Sequence, residues 1–499
     1  MKRSRISFAV RVFVLAAAAV MVFSNINRVM TTKGFAGRGF SETTTELAFY
    51  DLEENTVDVL FLGSSHAISS FIPQELYNNF GITSYNLGTR EQSLVVSYYW
   101  LKEALQTQSP RAVILDAYML FPYIEEDPLN SRESSTRIAL DFMNMDEVKR
   151  EAIRTICALD ESQSVLSYYL SNIRYHDRWK SLDDTDFKYE DYAGLPGLMG
   201  YASNSDGSAA ADYEPFEKGS SDELAAVVPL MEEYLIKIID LCNEQGIDLI
   251  LVKTPAHGYK ISMYNTLVQF VQEYDIPFYD FNERSLYNEI GFNFDKNMLD
   301  VAHLAVSGSV KITNFLGNLL QTEYDLESHE SLAWEESRET YLNYLADYQL
   351  WYGTDVCEYL TILNENKDRY VILIAVRGDA SRSLDEQMIS CLDGLQLEAD
   401  WSDAYGNSYY AVIDSGIVVE EVMSEEAIEG TGSFMDGRYC FTISSIGYDA
   451  GDGCSIVIDD EEQAINGRGL NIVVFDKNLL QVTDSVCFDT FSQYLTATR

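Results

Sequence analysis

Basic charge is what this chain lacks most: 35 Lys and Arg stand against 79 Asp and Glu, a formal net charge of −44 over 499 residues. A surface of that sign repels a phosphate backbone instead of neutralising it, so nucleic acid is not an expected partner. Cysteine is also scarce. Seven are scattered along the chain with no Cys-x-x-Cys pair, which leaves a disulfide scaffold, structural zinc and thioredoxin-type chemistry without support. Only five histidines are present and their spacing is not that of metal ligands, so neither a metal nor a cofactor is expected. No internal repeat or low-complexity tract occurs. What is abundant is apolar and aromatic mass, 46% and 12% of the chain, enough to bury a large core. At about 100 to 200 residues per domain, the length predicts two to four compact units.

One long apolar run stands at the start. The first eleven residues carry Lys2, Arg3, Arg5 and Arg11 without an acid, and Val12–Phe23 is unbroken apolar sequence. The strictly uncharged stretch has the length of a secretory signal. Counted from Ile6, with Arg11 snorkelling, it is long enough to cross a bilayer. Residues 1–30 are therefore expected to form a membrane anchor, with a cleaved signal as the alternative. The positive-inside tendency keeps the basic end cytoplasmic. Everything after Ser24 is then expected outside the cell, as the bulk of a single-pass membrane protein, or secreted if the segment is cleaved. Most of the carboxylates read as solvated faces.

Beyond Asn55 the chain adopts a strand and helix rhythm. Residues 57–62 read as a buried strand ending in Gly63, residues 83–88 as a second and 111–116 as a third, with Leu94, Tyr98, Leu101 and Leu105 on one face of an intervening helix. After an expected insertion over 128–218, a helix over 224–242 leads to strands at 247–252 and 276–281 and a last helix at 307–320. Alternation at this spacing predicts an α/β domain over about 50–325 with a doubly wound parallel sheet. Residues 326–368 read as a helical linker. A smaller C-terminal domain, α/β or β-rich, is expected over 369–495, from the strand Tyr370–Val376, a helix at 384–392 and alternating strands such as Tyr439–Ile443.

Gly63-Ser64-Ser65 falls where the first strand meets its helix, at the carboxyl edge where such sheets bind ligands. Small residues there also serve plain turns and caps. Asp300-Val301-Ala302-His303, directly before the last helix, changes the reading, because an early Ser and a late Asp-x-x-His can converge as nucleophile, orienting acid and base. The other histidines are pocket candidates with bland alternatives. His66 follows the nucleophile but suits a helix-start bond. His176 lies in a cationic and aromatic cluster able to hold a sugar, or in a surface turn. His257 ends another strand.

These residues resemble the SGNH or GDSL-type hydrolases over about 55–325. Gly63-Ser64-Ser65 lies on that family's first block, with Ser64 in place of the usual Asp and Ser65 as nucleophile. Gly88, in Asn86-Leu87-Gly88, falls on the second block, and Asp300 and His303 on the last. The resemblance implies an oxyanion held by the amides of Ser65 and Gly88, with Asn86 and Asp116 near the pocket. The third block, Gly-x-Asn-Asp, is unmatched: Asp116-Ala117-Tyr118 stands there, and the Asn donor is unassigned. Phe-Leu-Gly-Ser-Ser-His at 61–66 behind an anchor is similar to a membrane-attached branch that includes the D-alanyl transfer protein of teichoic acid synthesis and alginate O-acetylation proteins. That resemblance implies acyl transfer to a cell-surface glycan beside a membrane-bound O-acyltransferase. An esterase and a noncatalytic glycan-binding or assembly protein are the alternatives.

In the C-terminal part, Gly467-Arg468-Gly469-Leu470-Asn471 running into Ile472–Asp476, then Asp484–Thr490, resembles the interleukin-like EMT inducer (ILEI) domain, with Ile374–Ala380 in permuted order. Glycan binding is the role this resemblance implies. Cys440, Cys454 and Cys487 allow one disulfide, its pairing open.

Overall fold

The computed structural model describes residues 2–31, 42–124, 126–182, 184–187, 198–202, 213–492 and 496–499. The chain divides into two compact units, Met1–Tyr341 and Leu342–Arg499. The first opens with a helix, Lys2–Met30, whose stretch Val10–Met30 is long and apolar enough to cross a membrane. That suits an anchor or a signal sequence equally.

Five strands carry the first unit: β1 Val59–Leu62, β2 Ser84–Asn86, β3 Ala112–Asp116, β4 Asp248–Lys253 and β5 Phe278–Asp280. They form one parallel sheet in the order β2-β1-β3-β4-β5. Helices on both faces bury both sides of the central strands, which is why residues 59–62, 112–115 and 249–252 are continuously apolar. Leu60, Leu62, Val113, Leu115, Leu249 and Leu251 enter one core, while Val59, Phe61, Ala112, Ile114, Ile250 and Val252 enter the other. The helices Leu94–Ala104 and Pro229–Gln245 pack on the first face, and Pro73–Phe80 and Val306–Glu323 on the second. The helix expected from residue 224 starts instead at Pro229, because proline suits the first helical turn and keeps Val228 extended. Strand order reverses between β1 and β3, and the crevice beyond their carboxyl ends is where such sheets take ligands.

The region expected as an insertion contains, where described, helices at Glu133–Asp141, Glu147–Leu159, Val165–Tyr169 and Asn172–Tyr175 and a 3-10 turn at His176–Lys180. Parts of it, 188–197 and 203–212, lie outside the described residues. Residues 198–202 return to the sheet edge: Asn86 N donates to Met199 O at 2.9 Å and Ala202 N to Ile68 O at 3.1 Å. Over 326–368 the chain is largely helical, at Leu332–Tyr352 and Val356–Glu365, with Trp334 buried in the core of the first unit and Tyr359, Leu360 and Leu363 in that of the second.

The second unit is built on a mixed sheet. Its strands are β6 Tyr370–Gly378, β7 Ser408–Asp414, β8 Ile417–Ser424, β9 Ile428–Phe434, β10 Tyr439–Gly447, β11 Gly453–Ile458, β12 Glu461–Glu462, β13 Gly469–Asp476, β14 Gln481–Phe488 and β15 Ala497–Thr498. The path runs β12-β11-β10-β6-β13-β14-β15, with β7 on β6, β8 on β7 and β9 on β10. Among the described strands of this sheet only the short β10 to β6 contact is parallel. Along β6, Tyr370, Ile372, Ile374 and Val376 share a core with the helices Val356–Glu365 and Glu386–Gly394, and Val371, Leu373 and Ala375 face a second core.

The Arg-Gly-Leu-Asn phrase opens β13 and is tied down there. Asn471 Nδ2 donates to Gly467 O at 2.8 Å, and Arg468 makes a fork to Asp489 at 3.1 and 2.7 Å. Gly469 has φ +106°, and a Cβ on it would lie 2.2 Å from Phe488 O, so only glycine fits. The disulfide allowed among Cys440, Cys454 and Cys487 is not formed; all seven cysteines are free thiols.

Candidate active site

The turn after β1 presents Ser65. Gly63 takes φ +139°, and a Cβ there would press on the Cβ atoms of Ala67 and Asp116 at 3.1 and 3.2 Å. Ser64 then stays extended and caps the short helix Ser65–Ile68, its Oγ accepting from His66 N at 3.3 Å. Ser65 is the first residue of that helix, a position whose amide has no intrahelical acceptor.

From the far end of the domain the loop before the helix Val306–Glu323 brings the base. One Asp300 carboxylate does two jobs. Its Oδ1 accepts from the amides of Ala302 and His303, both at 2.7 Å, fixing the turn, and its Oδ2 receives His303 Nδ1 at 2.8 Å. This is why an Asp three residues before the His is the required spacing: one short side chain cannot otherwise cap the turn and orient the ring. His303 Nε2 then lies 2.9 Å from Ser65 Oγ. Burial pushes the Asp300 carboxyl up, but the His303 bond and the two amides outweigh it and hold it below the usual carboxylate range. Ser65, His303 and Asp300 stand in the order that a nucleophile, base and orienting acid require.

Behind this triad lies a buried polar layer. Asp116, at the end of β3, accepts from Thr254 N and Thr254 Oγ1, both at 3.2 Å, and from Tyr118 N at 2.9 Å. With its one proton given to Asp116, the Thr254 hydroxyl is an acceptor for His66 Nδ1 at 3.3 Å. His66 is stacked on Tyr118 with ring centroids 3.8 Å apart and stands 5.5 Å from the His303 ring. Burial, then the charges of Lys253 and His303, keep its pKa well below the ordinary histidine value, so it is neutral. Lys253 is fully buried, its Nζ donating to Thr254 O at 2.6 Å. Burial lowers its pKa against the opposing pull of Asp116 and Asp280. Asp280, pushed up to about 6 by burial, accepts from Tyr259 OH at 2.8 Å and from Asn282.

A cleft of about 210 Å³ opens over Ser65, lined by His66, Arg90, Glu91, Tyr118 and His303 among others. Of the residues singled out from sequence, Ser65, His66, Asp300 and His303 gather here. Others do not. Gly88 N donates to Asn86 Oδ1 at 3.0 Å. Asn86 is buried and spends its amide on Ala67 O and Phe71 O at 2.9 and 3.0 Å. Asp116 is a support beneath the cleft. His257 touches the Asp300 loop through its backbone, N to Val301 O at 2.7 Å, with its side chain exposed. His176 lies in the exposed 3-10 turn of the insertion, Nδ1 to Ile173 O at 3.3 Å, and does not line the cleft.

Sequence reasoning passed over Arg90, Glu91 and Tyr118. Their signal was positional: they directly follow β2 and β3, the strands flanking β1. Glu91 carries φ +51° and ties the cleft rim to the insertion by pairing with Arg132 and accepting from Ser135 Oγ at 3.0 Å. Among the described residues no group of three or more His, Cys, Asp or Glu side chains is placed to hold a metal ion. No protein-family model matches this chain, and no curated protein matches it.

Proposed function

We propose that this protein is a membrane-anchored serine acyltransferase of the SGNH type, acting outside the cell on a surface polysaccharide. The observation that carries the reading is the unbroken line from Ser65 Oγ through His303 to Asp300, at 2.9 and 2.8 Å. In the first half reaction Ser65 Oγ attacks the acyl carbonyl as its proton passes to His303 Nε2, and that proton leaves with the departing group. In the second, a sugar hydroxyl gives its proton to His303 and attacks the acyl-serine, and the proton returns to Ser65. The Ser65 amide meets the oxyanion, and Arg90 and Tyr118 line the same cleft. The resemblance in sequence supplies the acyl donor, exported by a membrane-bound O-acyltransferase, and the glycan acceptor.

An esterase uses the same three residues with water as acceptor. A glycan-binding protein without activity is favoured by one feature, the engaged Gly88 amide. Full-length protein is treated with a fluorophosphonate probe and, separately, with an activated acetyl ester plus polysaccharide. Labelling that Ser65→Ala abolishes supports an enzyme; no labelling of either form sinks the catalytic reading. Acetylated glycan marks a transferase, and free acetate alone an esterase.

A further inference from the structure

The first helix does not end free. Its last turn is gripped by the insertion: Asn172 N donates to Asn27 Oδ1 at 2.9 Å, Thr31 Oγ1 meets Ser171 Oγ at 2.6 Å, and Arg178 Nη1 donates to Met30 O and Thr31 O, both at 3.0 Å. Arg178 Nη2 holds Asp186 at 2.7 and 3.0 Å. The Arg178 Nη1 bonds satisfy carbonyls that a helix C-terminus leaves without partners. Large apolar side chains are exposed beside three of these residues: Ile173 after Asn172, Trp179 after Arg178 and Phe187 after Asp186. Leu166 and Tyr169, on the preceding helix, are exposed as well. Trp179 is 65% and Phe187 59% accessible. A face of this kind marks a surface that is covered in use.

Position along the helix names the cover. The unbroken apolar run ends at Phe23, and the gripped residues 27–31 follow about 6 to 12 Å further on at 1.5 Å per residue. The polar layer on each side of a bilayer is roughly 5 to 8 Å thick. The insertion therefore meets the helix from headgroup level to a few ångströms above it, and headgroup level is where Trp and Tyr are the enriched side chains.

We propose that the face of the insertion bearing Leu166, Tyr169, Ile173, Trp179 and Phe187 rests in the outer headgroup layer of the bilayer that the first helix crosses. The first unit is then attached twice, by a spanning helix and by an interfacial patch. This rests on the anchor part of the proposed function. The test uses Trp179 as a reporter, since the first helix has no tryptophan. Full-length protein and Trp179→Phe are reconstituted into phosphatidylcholine vesicles, with or without bromine on the acyl chains near the headgroup. Emission lost in Trp179→Phe should be blue-shifted and quenched about twofold by brominated lipid. Equal emission in both vesicles, with the chain resistant to alkaline carbonate extraction, overturns the patch while the anchor stands, and leaves another membrane protein as its occupant. Extraction of the chain by carbonate overturns the anchor itself, and the patch with it.

Discussion

Ser65 and His303 stand 238 positions apart in the chain, and their reactive atoms, Oγ and Nε2, lie 2.9 Å apart. Groups that work as one unit lose their effect together, so removing a second member costs little more than removing the first. Ser65→Ala, His303→Ala and the double variant should each lower kcat/KM on an activated acetyl ester by about 10⁴ to 10⁶-fold, to nearly the same floor. Asp300→Asn should cost about 10⁴-fold, because the amide presents the wrong partner to His303 Nδ1. Additive losses in the double variant would show that the two residues act separately.

His66 sets a pH dependence of stability. The unfolded chain binds a proton near pH 6.5, whereas the folded chain, with the ring buried and facing Lys253 and His303, refuses it. More protons bound when unfolded means that stability rises with pH, so it is present above about pH 6.5 and lost as the pH falls below that value. His66→Gln should flatten the slope of the urea midpoint between about pH 6.5 and 5. An unchanged slope would mean that the ring is protonated in the fold. The shape of the activity profile should stay as in wild type.

Lys253 neutralises a buried layer that contains Asp116 and Asp280. Lys253→Met leaves carboxylates buried without their cation and should destabilise the first unit by about 3 to 5 kcal/mol. Adding Asp280→Asn should recover a large part of that loss, since the uncompensated charge goes with it. Denaturant midpoints of the two single variants and the double variant decide this. Simple additivity would dissolve the proposed coupling.

Gly63 turns the chain from β1 into the Ser65 helix at φ +139° with neighbours on two sides of any Cβ. Gly63→Ala should cost about 1 to 3 kcal/mol and slow fluorophosphonate labelling, because the strain is relieved by moving Ser64 and Ser65. Wild-type thermal stability and labelling rate would refute the need for glycine.

Two strands of the parallel sheet are readable because both of their faces are buried, so residues 59–62 and 112–115 are apolar at every step and need no alternation to be seen. Ser65, Asp300 and His303 were readable because turn chemistry constrains their spacing locally, and the structure brings them together. Tyr118 and Arg90 were not singled out, since one aromatic or one charge after a strand has no period to betray it. What the Gly88 amide meets is also beyond the sequence, which shows that an amide is present but not that the Asn86 side chain two residues back accepts from it. The start of the helix at Pro229 was missed because the apolar spacing of residues 224–228 mimics a helix that the proline forbids.

The separation of Ser65 and His303 has a consequence during biosynthesis. A ribosome that has delivered the serine must add more than two hundred further residues before the histidine exists, so no unfinished chain can hold the bond between them. That contact arrives late, with the loop before the last helix of the sheet domain.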